Sequence, residues 1–357
     1  MKGVWYVRRH GTLAFLAAMA LLLGGLGIQA QVHAPLVRAA QSWQVAVGGD
    51  PSPGITAINF YPRAVTINAG DTVDFMFPAA EPHTVTFDAG QVPGLFLTGI
   101  TPNSPGPGDL DITKAFSPLN VGGAASYDGT SAISSGIPQD PPGERAPFSV
   151  TFPKSGVYYF ECAVHGPLMS GNITVLAAGA ATPESPAQAS ARGDTEAAND
   201  VTNTNAGDQA FPIKEQQTSA PSGATIHNLS AGAAGFHLAD LHFLPAADTV
   251  KRGDFITWTQ PDPNEFHTVT FMSGATAPGF FQVVPQPGGP PKILLPAFTI
   301  VPSGGGTYTG SGVVTSGTLT PGNSWTVRID APPGTYDYIC LFHADDYSMK
   351  GTITVTQ

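Results

Sequence analysis

The chain has 357 residues, enough for two domains of ordinary size, and a formal net charge of −11 at pH 7. Only 11% of the residues are charged, whereas glycine and proline number 42 and 34, a composition typical of turn-rich β structure. The acidic balance argues against nucleic acid as a partner and favours proteins with basic docking surfaces.

Residues 1–30 have the pattern of an export signal. A basic start precedes an apolar run from Leu13 to Ile28, which predicts a secretory signal peptide with cleavage after Ala30. The run is nearly long enough to span a bilayer, so an uncleaved N-terminal anchor is the alternative, and it would be the chain's only attachment to a membrane. Either interpretation predicts a secreted, periplasmic or cell-surface protein.

The remainder divides into two halves, residues 43–176 and 225–357, whose motifs follow in the same order. The first half contains INFYPRAVTINAGDTVDFMF, EPHTVTF and VYYFECAVHGPLMSGNITV; the second contains LHFLPAADTVKRGDFITWTQ, EFHTVTF and YDYICLFHADDYSMKGTITV. Segments such as HTVTF alternate polar and apolar residues, as half-buried strands do, and Gly-Asp and Pro-Gly pairs mark turns. The sequence therefore predicts an all-β chain of two tandem domains.

Residues 177–224, between the halves, are rich in Ala, Thr, Asn, Pro and Ser and poor in large apolar residues. Such a composition buries too little apolar surface to order itself, so we predict a flexible linker. An ordered loop wrapped around one domain is the alternative. A flexible linker would make the two halves semi-independent units.

Each half has a histidine at the start of a strand. A later, tyrosine-rich strand ends at a cysteine, and a second histidine and a methionine follow on a short loop. A thiolate, two imidazoles and a weak thioether form the ligand set that suits copper in electron-transfer sites. The candidate ligands are His83, Cys162, His165 and Met169 in the first half, and His267, Cys340, His343 and Met349 in the second. We therefore predict two copper ions, one per domain, each cycling between Cu(I) and Cu(II).

These motifs, above all His-Thr-Val-Thr-Phe and Cys-x-x-His followed by Met-x-Gly-x-Ile-Thr-Val, resemble those of the cupredoxin family, especially plastocyanin-like blue copper proteins. The resemblance covers both halves and implies two Greek-key β-sandwich domains, each with a type 1 copper site at one end. Plastocyanin-like proteins usually place four residues between the second histidine and the methionine. Here three and five residues stand there, which predicts different axial bond lengths and two different reduction potentials.

A second departure from the family is an insertion between the first histidine and the cysteine. It carries a Gly-Gly, Tyr-x-Gly and Ser-Gly pattern in both halves, and the sequence suggests no chemical role for it.

The resemblance favours an exported carrier that exchanges electrons with redox partner proteins and is not an enzyme. One alternative is a two-domain copper oxidoreductase of the oxidase or nitrite reductase type. In the family such enzymes need a further copper centre, made from His-x-His pairs and a histidine beside the ligand cysteine. The chain has no His-x-His, and Glu161 and Ile339 precede its cysteines. A surface copper-binding protein with incidental redox activity is the other alternative.

The remaining histidines and the tyrosines of the cysteine strands have simpler interpretations. We interpret His227, His237 and His242 as ordinary polar residues rather than ligands of another metal. Aromatic residues in strands usually pack against their neighbours, so we interpret the tyrosines as packing residues rather than an electron path. They are Tyr158, Tyr159, Tyr336 and Tyr338.

Overall fold

Short β-strands make up most of the regular structure in the computed structural model, which describes residues 39–87, 110–111, 125–138, 140–210, 216–235, 237–277 and 282–357. The predicted signal or anchor, residues 1–30, lies outside the described residues. None of the described helices is long and apolar enough to cross a membrane.

The first half forms two main sheets, whose strand orders are β3-β1-β5-β10-β8 and β4-β12-β11-β6-β9. The strands of this half are β1 Ser42–Val47, β2 Ile55–Ala57, β3 Phe60–Tyr61, β4 Ala64–Asn68, β5 Thr72–Met76, β6 Thr86–Phe87, β7 Leu110–Asp111, β8 Ala125–Ser126, β9 Ile133–Ser134, β10 Phe148–Thr151, β11 Gly156–Cys162 and β12 Gly166–Leu176.

The second half forms two sheets with corresponding orders, β15-β14-β17-β23-β21 and β16-β25-β24-β18-β22. Its strands are β13 Gln216–Ser219, β14 Thr225–Gly235, β15 Leu238–Leu244, β16 Ala247–Lys251, β17 Phe255–Thr259, β18 Thr270–Phe271, β19 Gln282–Gln286, β20 Gly289–Leu295, β21 Thr307–Tyr308, β22 Val314–Thr315, β23 Ser324–Ile329, β24 Gly334–Ile339 and β25 Lys350–Thr356.

The two halves repeat one fold, strand for strand. β1 runs parallel to β5, as β14 does to β17, and β4 runs parallel to β12, as β16 does to β25. The strands that lead to the cysteines correspond as well: β11 runs antiparallel to β6, as β24 does to β18. The predicted all-β architecture of two tandem sandwiches is therefore confirmed.

Aromatic side chains from facing sheets form the core of each sandwich. In β5 the alternate residues are buried, and the ring of Phe75 lies 5.1 Å from that of Phe160 in the opposite sheet. In the second half Trp258 takes the same position, with its ring 6.1 Å from Phe271 and 5.2 Å from Tyr338. Fully burying one large apolar side chain contributes about 1.5–3 kcal/mol, so these contacts hold the two sheets of each half together.

The halves are joined by shared sheets. Strand β2 of the first half pairs with β15 as an extra edge strand of the second half, with Ala57 opposite Leu238 and Ile55 opposite Asp240. Strand β7 of the first half likewise pairs with β20. The N–H of Ile58 also donates to the carbonyl of His237 at 2.8 Å. Backbone hydrogen bonds therefore fix one half against the other.

The prediction of a flexible linker over residues 177–224 is wrong where this segment is described. Helix α1, Pro186–Ala210, lies against β1 and β3 of the first half and β14 and β15 of the second, and β13 pairs with β14. A second, short helix, α2, covers Ala297–Ile300. Alanine has the highest intrinsic helix propensity, and the alanines of the linker support α1.

Polar contacts stabilise this helix, and the low apolar content of residues 177–224 gives no sign of them. Arg192 bonds to the carboxylates of Glu184 and Glu196 at 2.7 and 2.6 Å. The carboxylate of buried Asp200 accepts hydrogen bonds from the Tyr61 hydroxyl at 2.7 Å and the Asn59 amide at 3.1 Å, and it lies 3.2 Å from His237 Nδ1. Asp200 therefore ties α1 to both halves.

Replacing Asp200 with alanine should lower the free energy of unfolding by about 2–3 kcal/mol, because buried partners of a charged group lose their hydrogen bonds. Denaturant titration followed by tryptophan fluorescence measures the change. Asp194→Ala, at an exposed position of the same helix, is the matched control, for which a change within about 0.5 kcal/mol is expected. Equal effects of the two substitutions would contradict the anchoring role of Asp200.

Candidate metal centres

The first centre brings together three of the predicted ligands of the first half. The Cys162 Sγ lies 3.3 Å from His165 Nδ1 and 3.9 Å from His83 Nδ1, and the two Nδ1 atoms are 3.1 Å apart. All three side chains are buried. Two imidazole nitrogens and one sulfur therefore face a common point.

The second centre repeats this triangle almost dimension for dimension. The Cys340 Sγ lies 3.5 Å from His343 Nδ1 and 3.9 Å from His267 Nδ1, and the two nitrogens are 3.2 Å apart. These side chains are also buried. Both triangles stand out as groups of metal-binding atoms.

Strand pairing places the ligands. β6 pairs with β11 through Thr86 and Glu161, which sets His83 beside Cys162 at the end of both strands. A register shift follows Glu161, and the chain turns so that the His165 ring comes back to the sulfur. In the second half Thr270 pairs with Ile339 in the same way.

Both predicted methionine ligands are completely buried. Met349 is tied to its centre through the backbone, because its N–H donates to the His343 carbonyl and its carbonyl accepts from the Cys340 N–H, both at 3.1 Å. Met169 lies at the start of β12, which pairs with the cysteine strand. Each centre is thus a His, Cys, His and Met site in composition, and the axial role of the methionines stays a prediction.

A threonine after the first histidine supports each cysteine, and we did not predict this from the sequence. The Thr84 N–H donates to Cys162 Sγ at 3.3 Å, and the Thr84 hydroxyl accepts from the Ala163 N–H at 2.7 Å. Thr268 makes the same two contacts, at 3.4 Å to Cys340 Sγ and 2.7 Å from the Leu341 N–H. The repetition of His-Thr-Val-Thr-Phe in both halves was the signal for it.

The Gly-rich insertion has a structural role beside the metal centres. The Ser135 hydroxyl accepts from the Val85 N–H at 2.9 Å, and Ser134 Oγ lies 2.9 Å from Thr86 Oγ1. In the second half the Ser316 hydroxyl accepts from the Val269 N–H at 2.8 Å. The hydroxyl groups of the Ser-Gly segment that both halves share therefore support the segment that follows the first histidine.

A glycine covers the outer nitrogen of the first histidine in each half. Gly48 and Gly232 both have positive φ, +70° and +81°. A Cβ atom at Gly48 would lie 2.4 Å from His83 Nε2, and one at Gly232 would lie 2.2 Å from His267 Nε2. Only glycine lets the backbone pass this close, so both histidine rings are locked in place from the far side.

The donor atoms fit a copper ion in chemistry and in spacing. Two nitrogen ligands with bonds of about 2 Å to one ion lie about 3–3.5 Å apart, and the Nδ1 atoms are 3.1 and 3.2 Å apart. A trigonal set of two imidazoles and a thiolate with a methionine nearby is the blue-copper arrangement. His83, Cys162 and His165, and His267, Cys340 and His343, are the residues that would hold copper.

The two centres differ in electrostatics. Burial lowers the pKa of His83 and lowers that of His267 to about 3, so both rings are neutral and able to bind metal. Burial raises the pKa of the Cys340 thiol to about 11. Burial acts in the same sense on Cys162, but its contacts with His165 outweigh it and lower the thiol's pKa.

A carboxylate from the second half contributes to this difference through His165. Burial alone would lower the pKa of His165, but Cys162 and Glu265 raise it well above its usual value. Glu265 Oε1 lies 3.1 Å from His165 Nε2. Burial lowers the pKa of His343, and His267 and His165 lower it further. The first centre therefore favours its thiolate more than the second does.

The longer methionine loop of the second half makes an interdomain contact. Its Tyr347 hydroxyl accepts from the Glu81 N–H at 2.7 Å and donates to Asp50 Oδ1 at 2.9 Å, and both partners belong to the first half. The unequal loop lengths thus have a structural reason besides the predicted difference in axial bond length.

Among the described residues, the three histidines outside the two centres, His227, His237 and His242, contact carboxylates and do not join either centre. His227 Nδ1 lies 2.8 Å from Asp248, His242 Nδ1 lies 2.6 Å from Asp240, and His237 lies beside Asp200. Of the four strand tyrosines, Tyr158 and Tyr338 are buried and Tyr336 packs against the core, as expected for packing residues. Tyr159 differs, because 72% of its surface is exposed.

Comparison with known proteins agrees with this geometry. Residues 51–176 match the family model for copper-binding proteins of the plastocyanin/azurin family. The chain is 29% identical over 141 residues to the chloroplastic plastocyanin of Physcomitrium patens; the match covers 39% of this chain and 61% of that protein's length.

Solved amicyanin structures align with part of the chain. An oxidized amicyanin mutant is 18% identical, with a TM-score of 0.22, and the alignment covers 38% of this chain and 82% of that one. A reduced amicyanin mutant has the same identity and TM-score, with 40% and 94% covered. Residues 51–176 are therefore similar to copper-binding proteins of the plastocyanin/azurin family, and each half holds a His, Cys and His group that could bind a metal ion.

Proposed function

We propose that the protein is an exported electron carrier with one mononuclear type 1 copper site in each half. The observation that carries this proposal is the double triangle: two buried sets of two Nδ1 atoms and one Sγ with nearly equal dimensions. The family match and the plastocyanin relative support copper as the metal.

The chain's contribution is a rigid ligand set. Copper bound there would supply a reversible one-electron couple between Cu(I) and Cu(II). The Thr84 and Thr268 N–H groups aimed at the sulfurs hold each thiolate in one orientation, and Gly48 and Gly232 stop the first histidine from moving outward. Ligands that keep their positions in both oxidation states make electron transfer require little rearrangement.

The redox partners are proteins with basic docking surfaces. The chain has a net charge of −11, and Asp345 and Asp346 are exposed two and three residues after His343. Opposite charges on two proteins speed their encounter, and salt screens that attraction.

Copper-loaded protein should contain two coppers per chain and show intense thiolate-to-copper absorption in the red part of the visible spectrum. Cys162→Ser and Cys340→Ser should each remove about half of this absorption and one copper-thiolate signal in the electron paramagnetic resonance (EPR) spectrum, because each removes one of two thiolate ligands. Loss of all absorption, or none, in either variant would contradict two separate sites.

Met169→Leu and Met349→Leu should keep the colour of their sites but raise the reduction potential, because Cu(II) loses a donor that Cu(I) needs less. A tenfold change in relative affinity for the two oxidation states gives a rise of about 60 mV for a one-electron couple. Spectroelectrochemical titration of each variant in the presence of the unchanged second site measures it. Unaltered potentials would remove both methionines from the ligand set.

We expect no turnover of oxygen or nitrite by the copper-loaded protein. The reason is the lack of His-x-His pairs in the sequence and the presence of Glu161 and Ile339, rather than histidine, before the cysteines. Oxygen uptake and nitrite loss in the presence of an excess of reductant measure this. An oxidase rate that disappears on replacing His237 or His242 would favour the copper oxidoreductase alternative.

A further inference from the structure

We propose that Glu265 is shared by the two metal centres and connects them for electron exchange within one chain. This inference rests on the proposed function, since it requires copper at both centres. It adds a residue that is not a metal ligand and a route that a pair of independent carriers would lack.

Glu265 lies between the Nε2 atoms of His165 and His343, the second histidine ligand of each half. Its Oε1 lies 3.1 Å from Nε2 of His165 in the first half, and its Oε2 lies 3.8 Å from Nε2 of His343 in its own half. The Nδ1 atoms of both rings face their cysteine sulfurs. A single carboxylate group therefore separates two imidazoles that belong to different centres.

The arrangement at His165 is the carboxylate–histidine–metal pattern. With Nδ1 directed at the metal position, the ring carries its proton on Nε2 and donates it to Glu265, which fixes the tautomer and the ring orientation. At His343 the separation of 3.8 Å exceeds hydrogen-bonding distance. Glu265 thus makes a hydrogen bond to His165 of the first centre and a longer contact with His343 of the second.

The position of Glu265 has a counterpart in the repeat. Glu81 precedes His83 by two residues, as Glu265 precedes His267, and Glu81 Oε2 lies 3.6 Å from His343 Nε2. Each glutamate therefore lies near the second histidine ligand of the other half: Glu265 near His165, and Glu81 near His343. Both glutamates are buried, at 3% and 0% exposure.

The interface that holds Glu265 is fixed. β2 and β15 share a ladder across it, and Tyr347 of the second half bonds to Glu81 and Asp50 of the first. Since electron tunnelling falls steeply with distance, a fixed contact through one carboxylate gives exchange that a flexible linker would not. With copper held by both ligand sets, one electron would pass from Cu(I) at one centre to Cu(II) at the other, and no proton would need to move.

The shared role is tested in chains that keep one thiolate site each. Glu265→Leu is combined with Cys340→Ser, to read the first centre, and with Cys162→Ser, to read the second. Removing the carboxylate should lower the relative affinity for Cu(II) about tenfold at the first centre, the lower end of the effect of losing an outer partner of a ligand, and by a smaller factor at the second. Both reduction potentials should rise.

Glu144→Leu is the matched control, because it makes the same chemical change at an exposed position of the first half. It should leave both potentials as they are. A shift at only one centre after Glu265→Leu, or equal shifts in the control, would overturn the shared role.

Exchange is measured in the copper-loaded full chain with both sites intact. A photogenerated reductant supplies less than one electron per chain, and freeze-quench EPR follows its redistribution, each signal being assigned from the single-cysteine variants. The rate should be independent of protein concentration and about tenfold slower in Glu265→Leu. A rate that rises in proportion to protein concentration, or one unchanged by the substitution, would overturn the route.

Two measurements keep the test decisive if Glu265→Leu does not fold. Glu265→Gln keeps the side-chain size and removes the charge, and it should shift the potentials in the same direction. Pulsed EPR on the unaltered protein with both coppers oxidised should give one narrow intersite distance; a broad distribution would refute a fixed connection. Normal blue spectra without these effects would reject only the Glu265 route, whereas colourless copper-loaded protein would reject the proposed function.

Discussion

The pairing of a very short strand with the cysteine strand is the constraint on which each centre depends. Thr86 opposite Glu161, and Thr270 opposite Ile339, put the first histidine and the cysteine at the same end of one sheet. These short strands, β6 and β18, are two residues long, so little in their own pairing would hold them. Hydrogen bonds from the Ser134–Ser135 and Thr315–Ser316 segments and from the ligand-side threonines supply the support that length does not.

The second constraint is the interface between the halves, which changes how the duplication works. Two repeated domains on a flexible linker would have equivalent metal sites that do not influence each other. Here the C-terminal histidine ligands face buried carboxylates, and the charge of Glu265 acts mainly on His165. The same ligand set therefore has two electrostatic environments, and the pKa values of Cys162 and Cys340 move in opposite directions.

Much of the fold and the equatorial ligand set could be predicted from the sequence, because both depend on local patterns. Alternating residues predict strands, and the repeated Cys-x-x-His motif with an upstream histidine identifies Cys162, His165 and His83 without knowledge of the tertiary structure. The linker was not predictable in this way. Composition measures apolar content, whereas α1 is held by Arg192 and Asp200, whose partners Ala64, Tyr61 and Asn59 lie more than a hundred residues away. The role of Glu265 was hidden for the same reason, since its contact with His165 spans 100 residues.

Strand β2 has a consequence for the chain as an assembly. It belongs to the first half in sequence but completes a sheet of the second half, covering the edge of β15. An uncovered sheet edge is a template for pairing with another chain. Two copies that opened together could each place β2 on the other's β15 and form the same hydrogen bonds between chains. This architecture is therefore suited to dimerisation by domain swapping. Each ligand triangle lies within one half and would be preserved, but the first half of one chain would pack against the second half of the other.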